Sequence, residues 1–200
     1  MRFLATAIGC ALVLSGTAAA GGVDRVKDGR WARAIVVRHE DLPTWKTEPP
    51  SSGKTCLPAH LDGQTAFARS QQFSSSAQSV TARAWVFPEE QHATTGFRRL
   101  VALDYARCLA REGVIGARIL GTKQKRFGVA TTGDRFRGIR VTVRVVQSGI
   151  RFTVFVDLVF VRHGRAVADA AFTSTGVPFG EAAETATIGR MSARMSRPPT

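Results

Sequence analysis

The sequence predicts an α+β domain: one antiparallel β-sheet with two helices packed on one face, in the order strand-strand-helix-four strands-helix. Two observations carry this. Four consecutive stretches in the second half have strand character and are separated by Thr132-Gly133-Asp134, Ser148-Gly149 and His163-Gly164, short turns that favour an antiparallel meander. Two other stretches, opened by Pro88 and Pro178, carry apolar residues at helical spacing behind an acidic first turn.

Taken in order, residues 1–20 read as an export signal. Arg2 is a short positive n-region, Phe3 to Leu14 an apolar run, and Ser15–Ala20 an A-x-A-like cleavage region with the cut expected after Ala20. The run is shorter than the roughly 20 residues of a membrane span. No later stretch qualifies, because Ile150–Val161 is interrupted by Arg151 and Asp157. Ala7-Ile8-Gly9-Cys10 loosely resembles a lipobox, but Cys10 falls before a full apolar run has passed, so a cleaved, released chain is expected. The expected division is 1–20 signal, 21–62 lead-in and loop, 63–196 sandwich domain and 197–200 loose tail.

Within the lead-in, Ala34–Val37 is a short apolar element, Asp41–Trp45 follows, and Lys46–Lys54 reads as loop. Gln64–Phe73 and Gln78–Phe87 read as strands joined by the turn Ser74–Ala77. In the second, Val80, Ala82, Ala84 and Val86 alternate with Thr81, Arg83, Trp85 and Phe87. A helix is expected from Pro88 to Glu112, with Ala93, Phe97, Leu100, Val101, Cys108 and Leu109 at helical spacing and Gly113 as the stop. Strands follow at Arg118–Phe127, Phe136–Gln147, Ile150–Arg162 and Arg165–Thr173. A last helix runs from Pro178 to Met195, with Glu181 and Glu184 suiting its positive end, Arg190 and Arg194 its negative end, and Ile188, Met191 and Met195 as its stripe.

Loss of the signal removes one of the three cysteines. In an exported chain the remaining pair, Cys56 and Cys108, is expected to be a disulfide rather than a metal site. It would close a loop of about 50 residues, which chain entropy rates at roughly 4 kcal/mol.

The register of one hairpin can be read directly. A two-residue loop at Ser148-Gly149 pairs Gln147 with Ile150, so Val145, Val143, Val141 and Ile139 face Phe152, Val154, Val156 and Leu158 on one apolar side. The other side receives Arg144/Thr153, Thr142/Phe155 and the oppositely charged pair Arg140/Asp157. At Gly164 a three-residue loop is preferred, because it sets Asp169 beside Asp157 on the polar side, whereas a two-residue loop drives Asp169 into the core. The helix-free face then carries Arg140, Arg144, Arg151, Phe155, Asp157 and Asp169, the candidate contacts for a polar or anionic ligand. The competing reading is a solvated face with cross-strand ion pairs. Such pairs are worth about 0–1 kcal/mol, so removing Arg140 and Arg144 should leave folding nearly intact.

Composition supports an anionic partner. The chain has 28 Lys+Arg against 15 Asp+Glu; without Arg2 the balance is 27 against 15, a net charge of +12. Such a surface favours a small or polymeric anion at the cell envelope, although a merely arginine-rich solvated surface accounts for it too. No run of five basic residues and no specific nucleic-acid motif occurs. His39, His60, His92 and His163 fall in no metal spacing, and there is no G-x-S-x-G, S-x-x-K or phosphate loop, so neither a metal, nor a cofactor, nor a catalytic residue is assigned.

Asp41-Leu42-Pro43-Thr44-Trp45, then Cys56, Phe73, the strand Val80–Phe87 leading into Ala93–Leu100, and Cys108 together resemble secreted actinobacterial sensor-type domains related to the PknH-like extracellular domain. Phe155–Val167 is similar to that family's penultimate hairpin, and the resemblance covers most of Ile35 to Met195. It implies an α+β sandwich, a groove for an unidentified ligand and no enzymatic activity. The chain departs from the kinase sensor in lacking a kinase and a membrane span, and in having one cysteine pair where that sensor has two bridges. The expected function is a secreted, non-enzymatic binding or sensor-type domain. A basic structural or adhesive protein of the cell envelope and a secreted hydrolase with an unmarked site are the alternatives.

Overall fold

A computed structural model of the chain describes residues 23–49, 56–112, 117–128 and 134–199. The expected export signal with Cys10, the stop at Gly113 and the turn at Thr132-Gly133 lie outside the described residues, as does the side chain of Leu109.

The elements are α1 (Arg25–Ile35), a single 3-10 turn (His39–Asp41), β1 (Lys46–Glu48), β2 (Ala66–Arg69), β3 (Gln72–Ser75), β4 (Gln78–Val86), α2 (Glu90–Val101), α3 (Tyr105–Glu112), β5 (Arg118–Phe127), β6 (Arg135–Gln147), β7 (Ile150–His163), β8 (Ala166–Thr175) and α4 (Glu181–Met195). The strands form one antiparallel sheet in the order β1-β3-β4-β8-β7-β6-β5, with β2 also paired to β4. The expected α+β class with a single antiparallel sheet is what the chain forms.

The β6–β7 register agrees with the sequence reading pair for pair, from Gln147↔Ile150 to Arg140↔Asp157. Ser148 and Gly149 have φ of 49° and 80°, the left-handed pair that a two-residue hairpin turn demands. Cys56 and Cys108 are bridged, with Cα atoms 5.7 Å apart, tying the segment before β2 to α3.

Several expectations need correction. The sheet is covered on both faces. On the first face α2 and α3 pack over Trp85, Phe160, Val141 and Leu158; on the second, α1 and α4 pack over Ala82, Ala84, Val159 and Phe172. The two helices read from sequence therefore lie on opposite sides. The stretch read as a lead-in supplies α1, capped by Asp24, whose carboxylate accepts from the Val26 and Lys27 amides at 3.0 Å. Trp31, Ala32 and Ile35 of α1 belong to the core of the second face. Part of the expected loop after Trp45 is the edge strand β1.

The helix expected from Pro88 to Glu112 is two helices. Asp104 starts the second, accepting from the Arg107 amide at 2.9 Å, which is how an aspartate interrupts a helical run. The strand expected at Gln64–Phe73 is β2 and β3, separated at Ser70, whose hydroxyl accepts the Ala82 amide at 2.8 Å. Finally, the β7–β8 loop has two residues, Gly164 and Arg165, because His163 pairs with Ala166. Asp169 consequently faces Phe160, on the side of the sheet opposite to Asp157.

The Asp41–Trp45 segment is built into the scaffold. Asp41 meets Arg194 at 2.6 Å and Arg190 at 3.1 Å, Leu42 enters the core, and Trp45 lies against Phe179 with ring centroids 6.0 Å apart.

Candidate ligand-binding site

The six candidate residues separate into three environments. Arg140 and Asp157 are opposed across β6 and β7 on the second face and make two hydrogen bonds, Nε to Oδ1 at 2.5 Å and Nη2 to Oδ2 at 2.6 Å. Asp157 is fully buried, and α4 brings Glu184, 1% exposed, against it. Burial, then the hydrogen bond to Asp157, pushes the Glu184 carboxyl well above its ordinary value, so it holds its proton at neutral pH. Arg140 also lies 5.3 Å from the Phe127 ring centroid. This is an enclosed cluster in which Arg140 and Asp157 pair with each other, while Glu184 Oε1 has no hydrogen-bond partner. The expectation that Arg140 sits on a solvated sheet face is overturned because α4 covers that part of the sheet.

Arg144, Arg151 and Phe155 lie on the same face, away from Glu184, towards the β6–β7 turn. Arg144 and Arg151 are exposed and Phe155 is half-buried. In β5, Lys123 and Lys125 pair with Thr142 and Arg140 and so point to the same side, both exposed. Among the described residues no carboxylate pairs with any of these four cations. A Cβ at position 121 would come within 3.2 Å of Arg144 Nη2, so Gly121 is what lets that guanidinium lie close to the neighbouring strand. The lysines escaped sequence reasoning, although the alternation in Arg118–Phe127 and its pairing to β6 were signals that could have found them.

Asp169 is on the first face. Its cross-strand partner in β4 is Arg83, itself opposite Arg69 in β2. Asp169 is 1% and Arg83 6% exposed, yet Asp169 Oδ1 and Arg83 Nη1 have no hydrogen-bond partner, and no ion pair within 4.0 Å joins the two residues. Burial raises the Asp169 carboxyl from 3.8 to about 7, against the pull of Arg83 and Arg69. Tyr105 closes the cluster on the helix side: its hydroxyl donates to the Leu100 carbonyl at 2.7 Å, and its ring stacks on Phe160.

The same face opens beyond this cluster. A groove of about 740 Å³ is floored by Gln72, Ser74, Ser79 and Thr173 and flanked by Lys46 and Glu48. Thr81 and Ala171, both half-buried, are the one row of the sheet between that floor and Arg83 and Asp169.

Nothing in these environments has the layout of an acyl-transfer site. Among the described residues His60 contacts Gln64 and His163 contacts Asp134, and no histidine hydrogen-bonds a serine or cysteine. No group of three or more metal-ligating side chains is gathered among the described residues, and no described helix is long and apolar enough to cross a membrane.

No protein-family model matches the chain, and no curated protein matches it in sequence. The fold is similar to the crystal structure of the extracellular domain of PknH from Mycobacterium tuberculosis, with a TM-score of 0.50 and 10% sequence identity, covering 84% of this chain and 96% of that one. The resemblance is thus one of fold.

Proposed function

We propose that the chain is an extracytoplasmic, non-enzymatic binding or sensor-type domain for a polar or anionic ligand at the cell envelope, and that an anionic polymer lies on the second face across Arg144, Arg151 and Phe155. One observation carries this reading: Arg144 and Arg151, with Lys123 and Lys125 beside them, are exposed without a described carboxylate partner, while Arg140 in the same strands is fully engaged by Asp157. A sheet face carrying uncompensated charge of one sign attracts polyanions and loses them with salt. Half-buried Phe155 gives that face an apolar spot between the cations.

The extracytoplasmic setting is supported by the Cys56–Cys108 bridge, which persists in oxidising compartments, by the signal read in residues 1–20, and by a fold shared with an extracellular domain.

The test is binding of fluorescein-labelled heparin, followed by anisotropy across a salt series. The purified protein should bind it with an affinity that falls steeply with salt. Arg144→Ala/Arg151→Ala should raise Kd roughly tenfold, the equivalent of two exposed charges at up to about 1 kcal/mol each, and should flatten the salt dependence. Unchanged affinity in the double variant, or binding indifferent to salt, would overturn the assignment.

A further inference from the structure

Six large apolar side chains are exposed among the described residues, and three of them, Leu120, Ile150 and Val177, gather at one end of the sheet. Ile150 follows the Ser148-Gly149 turn at the tip of the β6–β7 hairpin and is 69% exposed. Gly121, Arg144 and Thr153 share one rung across β5, β6 and β7, and the Gly176 amide extends it by donating to the Thr153 carbonyl at 2.8 Å. Leu120 and Val177, the neighbours of Gly121 and Gly176, therefore stand at one level on the two sides of the hairpin, about 14 Å apart at the usual strand spacing. Ile150 projects about 10 Å beyond that level.

Cations fill the space between. Arg118 and Arg151 lie on the rung next to the tip, on either side of Val146, and Arg144 lies two rungs further back. All three arginines are exposed. None of residues 118–127, 144–156 and 174–180 is acidic.

We propose that this end of the sheet is a contact surface for an anionic lipid bilayer, with Ile150 inserted at the boundary between headgroups and acyl chains and Arg118, Arg144 and Arg151 on lipid phosphates. The proposal rests on the polyanion reading of the second face for Arg144 and Arg151, and adds the apolar tip. A hydrated polymer gains nothing from Ile150 or Val177, whereas a bilayer offers acyl chains beside its phosphates. Interfacial segments reach about 5–10 Å into that boundary. A tip that enters so far leaves Leu120 and Val177 at headgroup level, where the arginines can keep their stems in apolar surroundings and their guanidinium groups on phosphate. The contact lies on the membrane and does not cross it.

Cosedimentation of the purified protein with vesicles tests this. Vesicles of equal parts phosphatidylcholine and phosphatidylglycerol should bind it at least tenfold more tightly than phosphatidylcholine alone, since each basic residue near an anionic surface contributes about 1 kcal/mol. Arg118→Ala/Arg151→Ala should abolish most of that difference. Ile150→Ser should weaken partitioning at least twofold and Ile150→Trp should strengthen it at least threefold, both with heparin affinity unchanged. The fluorescence added by Ile150→Trp should be quenched by lipids brominated on the upper acyl chain. Equal binding to both vesicles, no change in either Ile150 variant, or no quenching would overturn the bilayer contact. Heparin binding without vesicle binding overturns it and leaves the polyanion reading standing; vesicle binding without heparin binding supports the bilayer contact and removes the polymer.

Discussion

Two arginine–aspartate pairs sit opposite one another across neighbouring strands of the same sheet, and the chain treats them differently. Arg140 and Asp157 are clasped by two short hydrogen bonds and sealed beneath α4. Arg83 and Asp169 are equally well placed in register, are covered on the first face, and stay apart. Register alone therefore does not decide whether a buried ion pair forms. Their surroundings differ. Arg140 meets two carboxyls, Asp157 and Glu184, so one proton and one guanidinium leave the cluster neutral. Asp169 has two arginines in a row on one side in the strand order, Arg83 next to it and Arg69 beyond, and Phe160 on the other, and its carboxyl is fully withdrawn from water. One pair is a fastening, and the other keeps its hydrogen-bonding capacity in reserve.

The largest effect that separates them is in stability. Asp157→Ala leaves Arg140 without its partner beneath α4 and should destabilise the domain by about 3–5 kcal/mol, the usual cost of breaking a buried ion pair from one side. Arg140→Ala should be comparably costly, the reverse of what a solvated sheet face would give. Arg83→Met removes a guanidinium with no hydrogen bond at Nη1 and should change stability by no more than about 1 kcal/mol. Urea unfolding of the three variants at pH 7 makes the measurement, and equal losses for Asp157→Ala and Arg83→Met would erase the distinction.

The contrast also marks where the sequence was legible. Alternation along β6 and β7 has only one register that keeps Val141, Val143 and Val145 together, and Ser148-Gly149 is a turn that permits it, so Arg140↔Asp157 was readable. The next loop misled for a physical reason. Counting the cost of burying Asp169 argues against a two-residue loop, but that count treats the strand alone. Arg83, some 86 residues earlier in the chain, stands opposite Asp169, and long-range pairing is invisible to a local pattern. Glu184 was hidden in the same way: four residues into a helix, an acid reads as a partner for the dipole, and only the packing of α4 on β7 makes it a buried neighbour of Asp157. α1 was missed because Trp31, Ala32 and Ile35 are scattered among arginines, lysine and Gly29, leaving a weak stripe, although Asp24 was a legible cap. The scaffold was read where the signal was local, and the candidate site was misread where two distant segments meet.

A smaller effect sharpens the comparison through pH. The Asp169 carboxyl is raised from 3.8 in the free residue to about 7 in the fold. A raised acid binds its proton more tightly in the folded than in the unfolded state across that window, so its contribution to stability is whole below pH 4 and is lost as pH climbs through 7. Asp169→Asn should therefore flatten the decline of stability between pH 4 and 7, with the variant gaining on the parent as pH rises. Glu184→Gln should remove a decline of the same sign, because the Glu184 carboxyl is also raised, while its amide keeps a donor beside Asp157. Urea midpoints measured at half-unit intervals separate the two. An Asp169→Asn curve parallel to the parent over the whole window would show that this carboxyl is not held neutral by its burial.

The smallest effect comes from the arginines that belong to neither pair. Arg144 and Arg151 are exposed and lack a described carboxylate partner, so each replaced by alanine should shift stability by less than about 0.5 kcal/mol, against several for Asp157→Ala, four and six rungs away along the same hairpin. Arg144 carries an extra constraint, since its guanidinium lies where a side chain at Gly121 would be. Gly121→Ala should therefore shift the Arg144 guanidinium by only a few tenths of an ångström, and should weaken polyanion binding far less than Arg144→Ala does, with thermal stability nearly unchanged. A large loss of stability in Arg144→Ala would mean that this guanidinium is a fastening like Arg140, and that the open end of the second face is scaffold instead of contact surface.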